Sequence, residues 1–180
     1  MSVFPDILKI LENEWSEVVE LERGDFLCKK GETHPYFYFV EKGSLHVYIE
    51  GSKEEHTFRF GYKNSIITPL DSFLTGKSTQ FFIKAIKSTK LKGISRDYFL
   101  QVFNSNETYK DLWDEFLKEM IISQLEREID LITYTPIERF ERLYKRSSHL
   151  FQEIPHKYIA SYLRMKPETL SRLMNSFSGA

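Results

Sequence analysis

The chain has a single cysteine, Cys28, in 180 residues. One thiol closes no internal disulfide and builds no multi-cysteine metal or iron–sulfur site. Cys28 therefore reads as a small buried residue on a strand. No apolar run approaches the roughly 18 residues that cross a bilayer. Residues 1–25 have no basic start followed by an apolar secretory stretch. A soluble, cytoplasmic protein without a membrane partner is expected. Catalytic motifs are missing as well: there is no nucleophile elbow, no phosphate loop and no histidine-rich metal motif. No arginine occurs between Arg59 and Arg96, and neither glycine nor proline interrupts residues 107–135.

What is present suits a folded core. Hydrophobic residues make up 41% of the chain, aromatics 15% and charged residues 28%, which argues against disorder and collagen-like or low-complexity chains. The net charge of −1 conceals a division. Residues 1–135 carry 17 Lys and Arg against 22 Asp and Glu, and residues 136–180 carry 8 against 4. A basic end on an acidic body is the footprint of a nucleic-acid module or the solvated face of a helix.

The texture changes along the chain. Phe4 to Glu20 spaces Ile7, Leu8, Leu11, Trp15, Val18 and Val19 at helical intervals, which predicts one or two short helices. From about Leu21 to Arg96, short β-rich runs are separated by glycines: Phe26–Cys28, Tyr36–Val40, Leu45–Ile49, Thr57–Phe60, Phe81–Ile83 and Leu91–Ile94. Many short strands at close spacing predict a small barrel or sandwich. From Glu107 the period becomes helical. Trp113, Leu117, Ile121, Leu125, Ile129 and Ile132 step by fours and then a three, beside a second row of Leu112, Phe116 and Met120. A helix of about 25 residues would be roughly 37 Å long. Its two rows are buried either against the β-unit and a second copy of the chain, or as one broad stripe within a subunit. Pro136 should end it.

In the last segment Ile137, Phe140, Leu143 and Tyr144 share one helical face. A helix over His156–Leu163 and a second opened by Pro167, joined by Arg164-Met165-Lys166, describe a helix-turn-helix with the small Ala160 at the inner contact.

Here the residues carry a resemblance. Ile159-Ala160-x-x-Leu163, followed by Glu168-Thr169-Leu170-Ser171-Arg172, resembles the helix-turn-helix of the Crp/Fnr family of bacterial transcription regulators. Glu22-x-Gly24, Lys30-Gly31-Glu32, Tyr38-Phe39-Val40 and Lys42-Gly43-Ser44 resemble the opening hairpins of that family's β-roll. The resemblance implies an α+β fold. Residues 1–106 would form an antiparallel, cyclic-nucleotide-binding-like β-roll (a double-stranded β-helix). Residues 107–135 would form a long dimerisation helix, with Trp113, Leu117, Met120, Ile121, Gln124 and Leu125 on its dimer face. Residues 136–180 would form a helix-turn-helix DNA-binding domain. It further implies a homodimer on an inverted-repeat operator, with double-stranded DNA as partner, RNA polymerase as a further one and a small-molecule effector, and no cofactor. Glu168, Ser171 and Arg172 sit at the family's base-reading positions. Thr169, Lys166, Arg164 and Lys157 are placed to touch phosphates. Pro167 stands where relatives often carry a basic residue, and few residues follow Met174, leaving no room for a β-hairpin wing.

The ligand pocket departs from the family pattern. Nucleotide-binding relatives carry a Gly-Glu-Leu-Ala cassette followed by Arg-Ser or Arg-Thr-Ala. Matching Thr75-Gly76 and Ala85 to that pattern puts Pro69 and Leu70 at Gly-Glu, and Thr79 and Gln80 at Arg-Ser. A slip of one position offers Asp71 as the acid, with no arginine. Lys77 lacks the bidentate fork of arginine, as does Lys84. The candidate pocket residues are thus Leu70, Asp71, Lys77, Ser78, Thr79 and Gln80. Tight cyclic AMP binding is not expected, and the roll either holds another small molecule or is a filled core. Two other readings stand beside the regulator: a sensory or interaction β-roll with a vestigial helix-turn-helix, and a cupin-like enzyme with a metal at His46 and His56.

Overall fold

The computed structural model describes residues 2–52 and 54–178. Met1, Gly179 and Ala180, at the outer bounds of the first and last expected segments, lie outside the described residues, as does Lys53.

Helix α1 (Phe4–Leu11) buries Ile7 and Leu11 and ends there. The helical reading of residues 12–20 is corrected. Val18 and Val19 lie on strand β1 (Glu17–Leu21), which pairs antiparallel with β8 (Thr89–Ser95) from Glu17↔Gly93 to Leu21↔Thr89. Two adjacent β-branched residues favour the strand, and the partner residues lie 68 to 76 positions away in sequence.

Between them come β2 (Phe26–Cys28), β3 (Tyr36–Lys42), β4 (Ser44–Glu50), β5 (Glu55–Tyr62), β6 (Ile66–Ile67), the short helix α2 (Leu70–Thr75) and β7 (Phe82–Ala85). They form two four-stranded antiparallel sheets, ordered β1-β8-β3-β6 and β2-β7-β4-β5. Inside the roll Leu27, Cys28, Tyr38, Val40, Leu45, Val47, Ile67, Ile83 and Leu91 pack together. Burial pushes the Cys28 thiol up to about 12, so it is an inert core residue. Gly43 turns β3 into β4 with φ +87°, and a Cβ there would lie 2.6 Å from the Thr89 Cα and against the Ser88 carbonyl. Only glycine fits both the angle and the space.

Helix α3 (Arg96–Phe103) closes the roll and is followed by α4 (Glu107–Thr133), whose first turn is capped by the Asn106 side chain accepting from the Tyr109 amide. The first third of α4 is anchored to its own subunit. Trp113 packs 4.8 Å, centroid to centroid, from Phe99, with Phe37, Phe73, Phe103 and Phe116 around it. Trp113, expected on a dimer face, is therefore core of this subunit. Beyond it the apolar row comes to the surface: Ile121 is 59% exposed, Leu125 52%, Ile129 52% and Ile132 76%.

Tyr134 is extended, and α5 (Pro136–Ser147) opens with a capping box between Thr135 and Glu138. The buried Asp130 of α4 accepts from Arg142 Nε at 2.6 Å and from Arg146 Nη2 at 2.9 Å, which fixes the angle between α4 and α5. Helices α6 (Leu150–Glu153), α7 (His156–Tyr162) and α8 (Pro167–Ser178) complete the chain. No helix among the described residues is long and apolar enough to cross a membrane.

Candidate functional site

Helices α7 and α8 meet over Ile159, Ala160, Leu163 and Leu170, all buried with Phe140, Leu143, Phe151 and Ile154. The small Ala160 permits the close approach. The turn between them depends on Arg164, whose φ is +53°, with the Met165 amide donating to the Ala160 carbonyl at 3.0 Å. Pro167 occupies the first position of α8, where its missing N–H costs nothing. This packing leaves Glu168, Ser171 and Arg172 exposed on the outward face of α8, with Lys166 and Lys157 exposed nearby and Thr169 half-buried. A carboxylate and a guanidinium one helical turn apart on such a face have the reach to read cytosine N4 and guanine O6/N7 in a major groove.

The helical unit is docked on the roll. Ser161 Oγ accepts from the Thr57 amide and donates to the Glu55 carbonyl, so α7 sits along β5. Arg127 of α4, buried at the junction, donates to the Thr57 carbonyl at 3.1 Å and to the Tyr162 carbonyl at 3.3 Å. Its guanidinium lies 4.4 Å from the Tyr162 ring centroid. One side chain thus ties the roll, the long helix and the helix-turn-helix together. Replacing it with alanine strands two carbonyls and removes a cation–π contact. Arg127→Ala is expected to cost about 2 kcal/mol of unfolding free energy, read as a lower midpoint in urea titration. Arg164, a candidate phosphate contact, is held here instead: it donates to His56 Nδ1 at 2.8 Å.

The residues expected at the ligand pocket are brought together in part. Asp71, on the first turn of α2, accepts from the Thr79 hydroxyl and the Gln80 amide, both at 2.8 Å, and from the Ser72 amide. Thr79 is fully buried, whereas Lys77 and Ser78 are exposed in the loop between. The loop therefore closes around a carboxylate of its own chain. A cyclic phosphate at the same loop would meet Asp71 as a like charge, and no arginine lies in the loop to neutralise it.

Beside that loop lies a cavity of about 300 Å³. It is bounded by Leu70 and Leu74 of α2, by Phe81, by Val47, Phe58 and Arg59 of the roll, and by Leu117, Met120, Ile121, Gln124 and Leu125 of α4. Leu70 is thus the one pocket candidate that reaches it, and five of the six expected dimer-face residues form its other wall. Arg59 and Arg127 were not singled out by the sequence. An arginine inside a β-run reads as solvent-facing, and a mid-helix arginine as surface.

The histidines serve other ends. His34 lies 2.9 Å from the Tyr38 hydroxyl, His46 stacks on Tyr48 and meets Tyr158 at a tilt of 56°, and His56 receives Arg164. Among the described residues no group of three His, Cys, Asp or Glu side chains is placed to hold a metal.

Residues 18–106 match the family model of the cyclic nucleotide-binding domain. Its neighbours among solved structures are Crp/Fnr family transcription regulators, whose fold it shares. FixK2 from Bradyrhizobium japonicum superimposes with a TM-score of 0.76 at 17% identity, covering 91% of this chain and 84% of that one. A CooA variant from Carboxydothermus hydrogenoformans gives 0.71 at 17% identity over 96% and 84%. A transcriptional regulator of the CRP/FNR family from Thermus thermophilus gives 0.64 at 16% identity over 90% and 86%. No curated protein matches the sequence.

Proposed function

We propose that the chain is a homodimeric, DNA-binding transcription regulator, with residues 1–106 as sensory unit, 107–135 as dimerisation helix and 136–180 as DNA-binding unit. The observation that carries this reading is the outward face of α8, where Glu168, Ser171 and Arg172 stand exposed on a helix-turn-helix with a fully buried inner face. Glu168 and Arg172 read base edges, and Lys166, Lys157 and Thr169 hold phosphates. Arg164 joins them once it leaves His56. The exposed row Ile121, Leu125, Ile129 and Ile132 is the seam for a second copy, its 4-4-3 spacing being that of a left-handed coiled coil. A two-fold dimer reads an inverted repeat with half-sites about 34 Å apart. The fold shared with transcription regulators supports the same conclusion.

The test is selection of duplex sites from a random pool, followed by titration with salt. The protein is expected to enrich an inverted repeat, with affinity falling steeply as salt rises. Arg172→Ala should then lose about 1 to 3 kcal/mol of specific binding and relax the preference at one base pair of each half-site. Unchanged selectivity in that variant would remove α8 as the reading element.

A further inference from the structure

We infer that the outer face of the β2-β7-β4 sheet carries the phosphates of duplex DNA beside the operator, through Lys29, Lys84 and Lys157. The inference rests on the regulator reading and extends its DNA interface from the helix-turn-helix onto the roll.

The argument begins with strand alternation. Leu45 and Val47 of β4 point into the roll, so His46 and Tyr48 point outward. Their partners on β7 are Lys84 and Phe82, and Phe26 of β2 is paired with Lys84 in turn. Residues paired across strands share a face. The outer face therefore carries a row of rings. Between centroids, Phe26 lies 6.1 Å from Phe82, Phe82 lies 5.2 Å from Tyr48, and His46 lies 4.6 Å from both Tyr48 and Tyr158 of α7. The row thus runs unbroken from the roll onto the helix-turn-helix.

Three ammonium groups sit on these rings. Lys29 and Lys84 each lie 4.9 Å from the Phe26 centroid, and Lys157 lies 4.7 Å from that of Tyr158. A ring holds a cation in place without neutralising it. Among the described residues none of the three pairs with a carboxylate, whereas Lys90 and Lys92 of the opposite sheet pair with Glu20 and Glu41. Acids border the face at two places: Asp25 and Glu32, which accept from the Glu22 and Lys29 amides, and Glu50 and Glu55 beside the Tyr48 phenol. Between them the field is positive. Burial comes first in lowering the pKa of His46, and the charges that add to it are Lys84 and Lys157.

The layout fits a duplex backbone. Neighbouring strands lie about 4.8 Å apart, so the face reaches roughly 10 Å from β4 across β7 to β2. Each strand of a duplex carries one phosphate per roughly 3.4 Å of axis, and a backbone lying across the face meets two or three of them. Lys157, in the first turn of α7, belongs to the DNA-binding unit and stands at the near end of the row. DNA that passes α7 therefore continues over the sheet. Single-stranded DNA stacked on the rings is disfavoured, because Tyr48 and His46 are buried and the Phe26 ring already holds two ammonium groups.

The experiment titrates the full chain, at several salt concentrations, with two duplexes that share the selected repeat. One is trimmed to the repeat and the other is longer by about 15 base pairs on each side. The longer duplex is expected to bind about tenfold more tightly and to depend more steeply on salt. The double variant Lys29→Ala, Lys84→Ala should remove that gain and leave the trimmed duplex unaffected. With two lysines lost from each copy, the salt slope on the longer duplex should fall by about 3 to 4. Lys29→Arg with Lys84→Arg, which keeps the charges, should behave as the parent chain. A longer duplex that binds no better than the trimmed one, or a gain that survives the double alanine variant, would overturn the inference. Binding of a thymidine 30-mer that the alanine variant abolishes, with both duplexes unaffected, would overturn it too and reassign the face to single strands. The preference for the repeat, read through Arg172→Ala, tests α8, and the gain with length, read through Lys29 and Lys84, tests the sheet, so either fails alone. On an unselected long duplex at low salt the alanine variant should still lower the slope, which reads the sheet even where no repeat is selected.

Discussion

Ile129→Glu is expected to turn the dimer into a monomer and to lower operator affinity by about a hundred- to thousandfold. Ile129 lies two turns beyond Ile121, off the cavity wall, and is 52% exposed in the single subunit. In a coiled-coil seam the two copies of such a residue face each other or an equivalent apolar neighbour. A glutamate there brings like charges into a closing apolar interface, and burying unpaired charges costs several kcal/mol. The single subunit loses little, because the side chain is already half in water. The effect on DNA is larger than the local change. A dimer holds two half-sites at once, and the second is bound at the high effective concentration set by the first. Specific binding exceeds non-specific binding by about 10³- to 10⁷-fold, and a monomer forfeits about half of that on a logarithmic scale. Light scattering behind size exclusion reads the mass, and a gel-shift titration on the selected repeat reads the affinity. A variant that stays dimeric and binds fully would move the self-association surface away from this row.

The same helix shows what the sequence could and could not say. Its length and its stop at Pro136 were legible because periodicity and proline chemistry are local. The fate of its apolar row was not. Trp113 and Ile121 are equivalent in the pattern, yet one is buried against Phe99 and the other stands at the surface. What separates them is α3, which covers only the first turns of α4 and is itself packed through Phe99 and Phe103. Strand β1 was misread for a related reason. Val18 and Val19 continue the helical spacing from Leu11 and Trp15, and only pairing with β8 decides for the strand. That pairing depends on Gly93, where a Cβ would lie 2.6 Å from the Tyr38 ring and 2.7 Å from the Glu17 side chain. The helix pair α7 and α8 was legible because its residues form one short contiguous motif. The departure of the α2 loop from the family's cassette was legible only as a negative, a missing arginine between Arg59 and Arg96. Arg59 was hidden because one extra residue in β5 turns it inward, and a bulge leaves no signature in a run such as Thr57-Phe58-Arg59-Phe60.

Acid should loosen the seat of the helix-turn-helix at His46. This side chain sits on β4, held between Tyr48 of its own strand and Tyr158 of α7, each 4.6 Å away between ring centroids. It is 2% exposed, and its Nδ1 has no hydrogen-bond partner. Burial, reinforced by the ammonium groups of Lys84 on β7 and Lys157 on α7, depresses it from 6.5 to about 4. The imidazole is thus neutral in the folded protein at pH values where the unfolded chain has begun to take up a proton. Above pH 6.5 the group is neutral in both states and stability does not depend on it. As pH falls from 6.5 towards 4 the unfolded state binds the extra proton, and stability is lost by up to about 1.4 kcal/mol per pH unit, roughly 3 kcal/mol over the window. Below 4 both states are protonated and the loss levels off. Urea titrations between pH 7 and 4 should show this slope, and His46→Phe, which keeps the stacked ring without the titrating nitrogen, should flatten it. The part that survives in His46→Phe includes the half-buried His34, also shifted down by desolvation. An unchanged slope would mean that the acid sensitivity lies elsewhere. Since Tyr158 and Lys157 belong to α7, the proton that charges His46 acts on the contact that seats the DNA-binding unit. In His46→Phe the operator affinity should then fall less steeply with acid than in the parent chain.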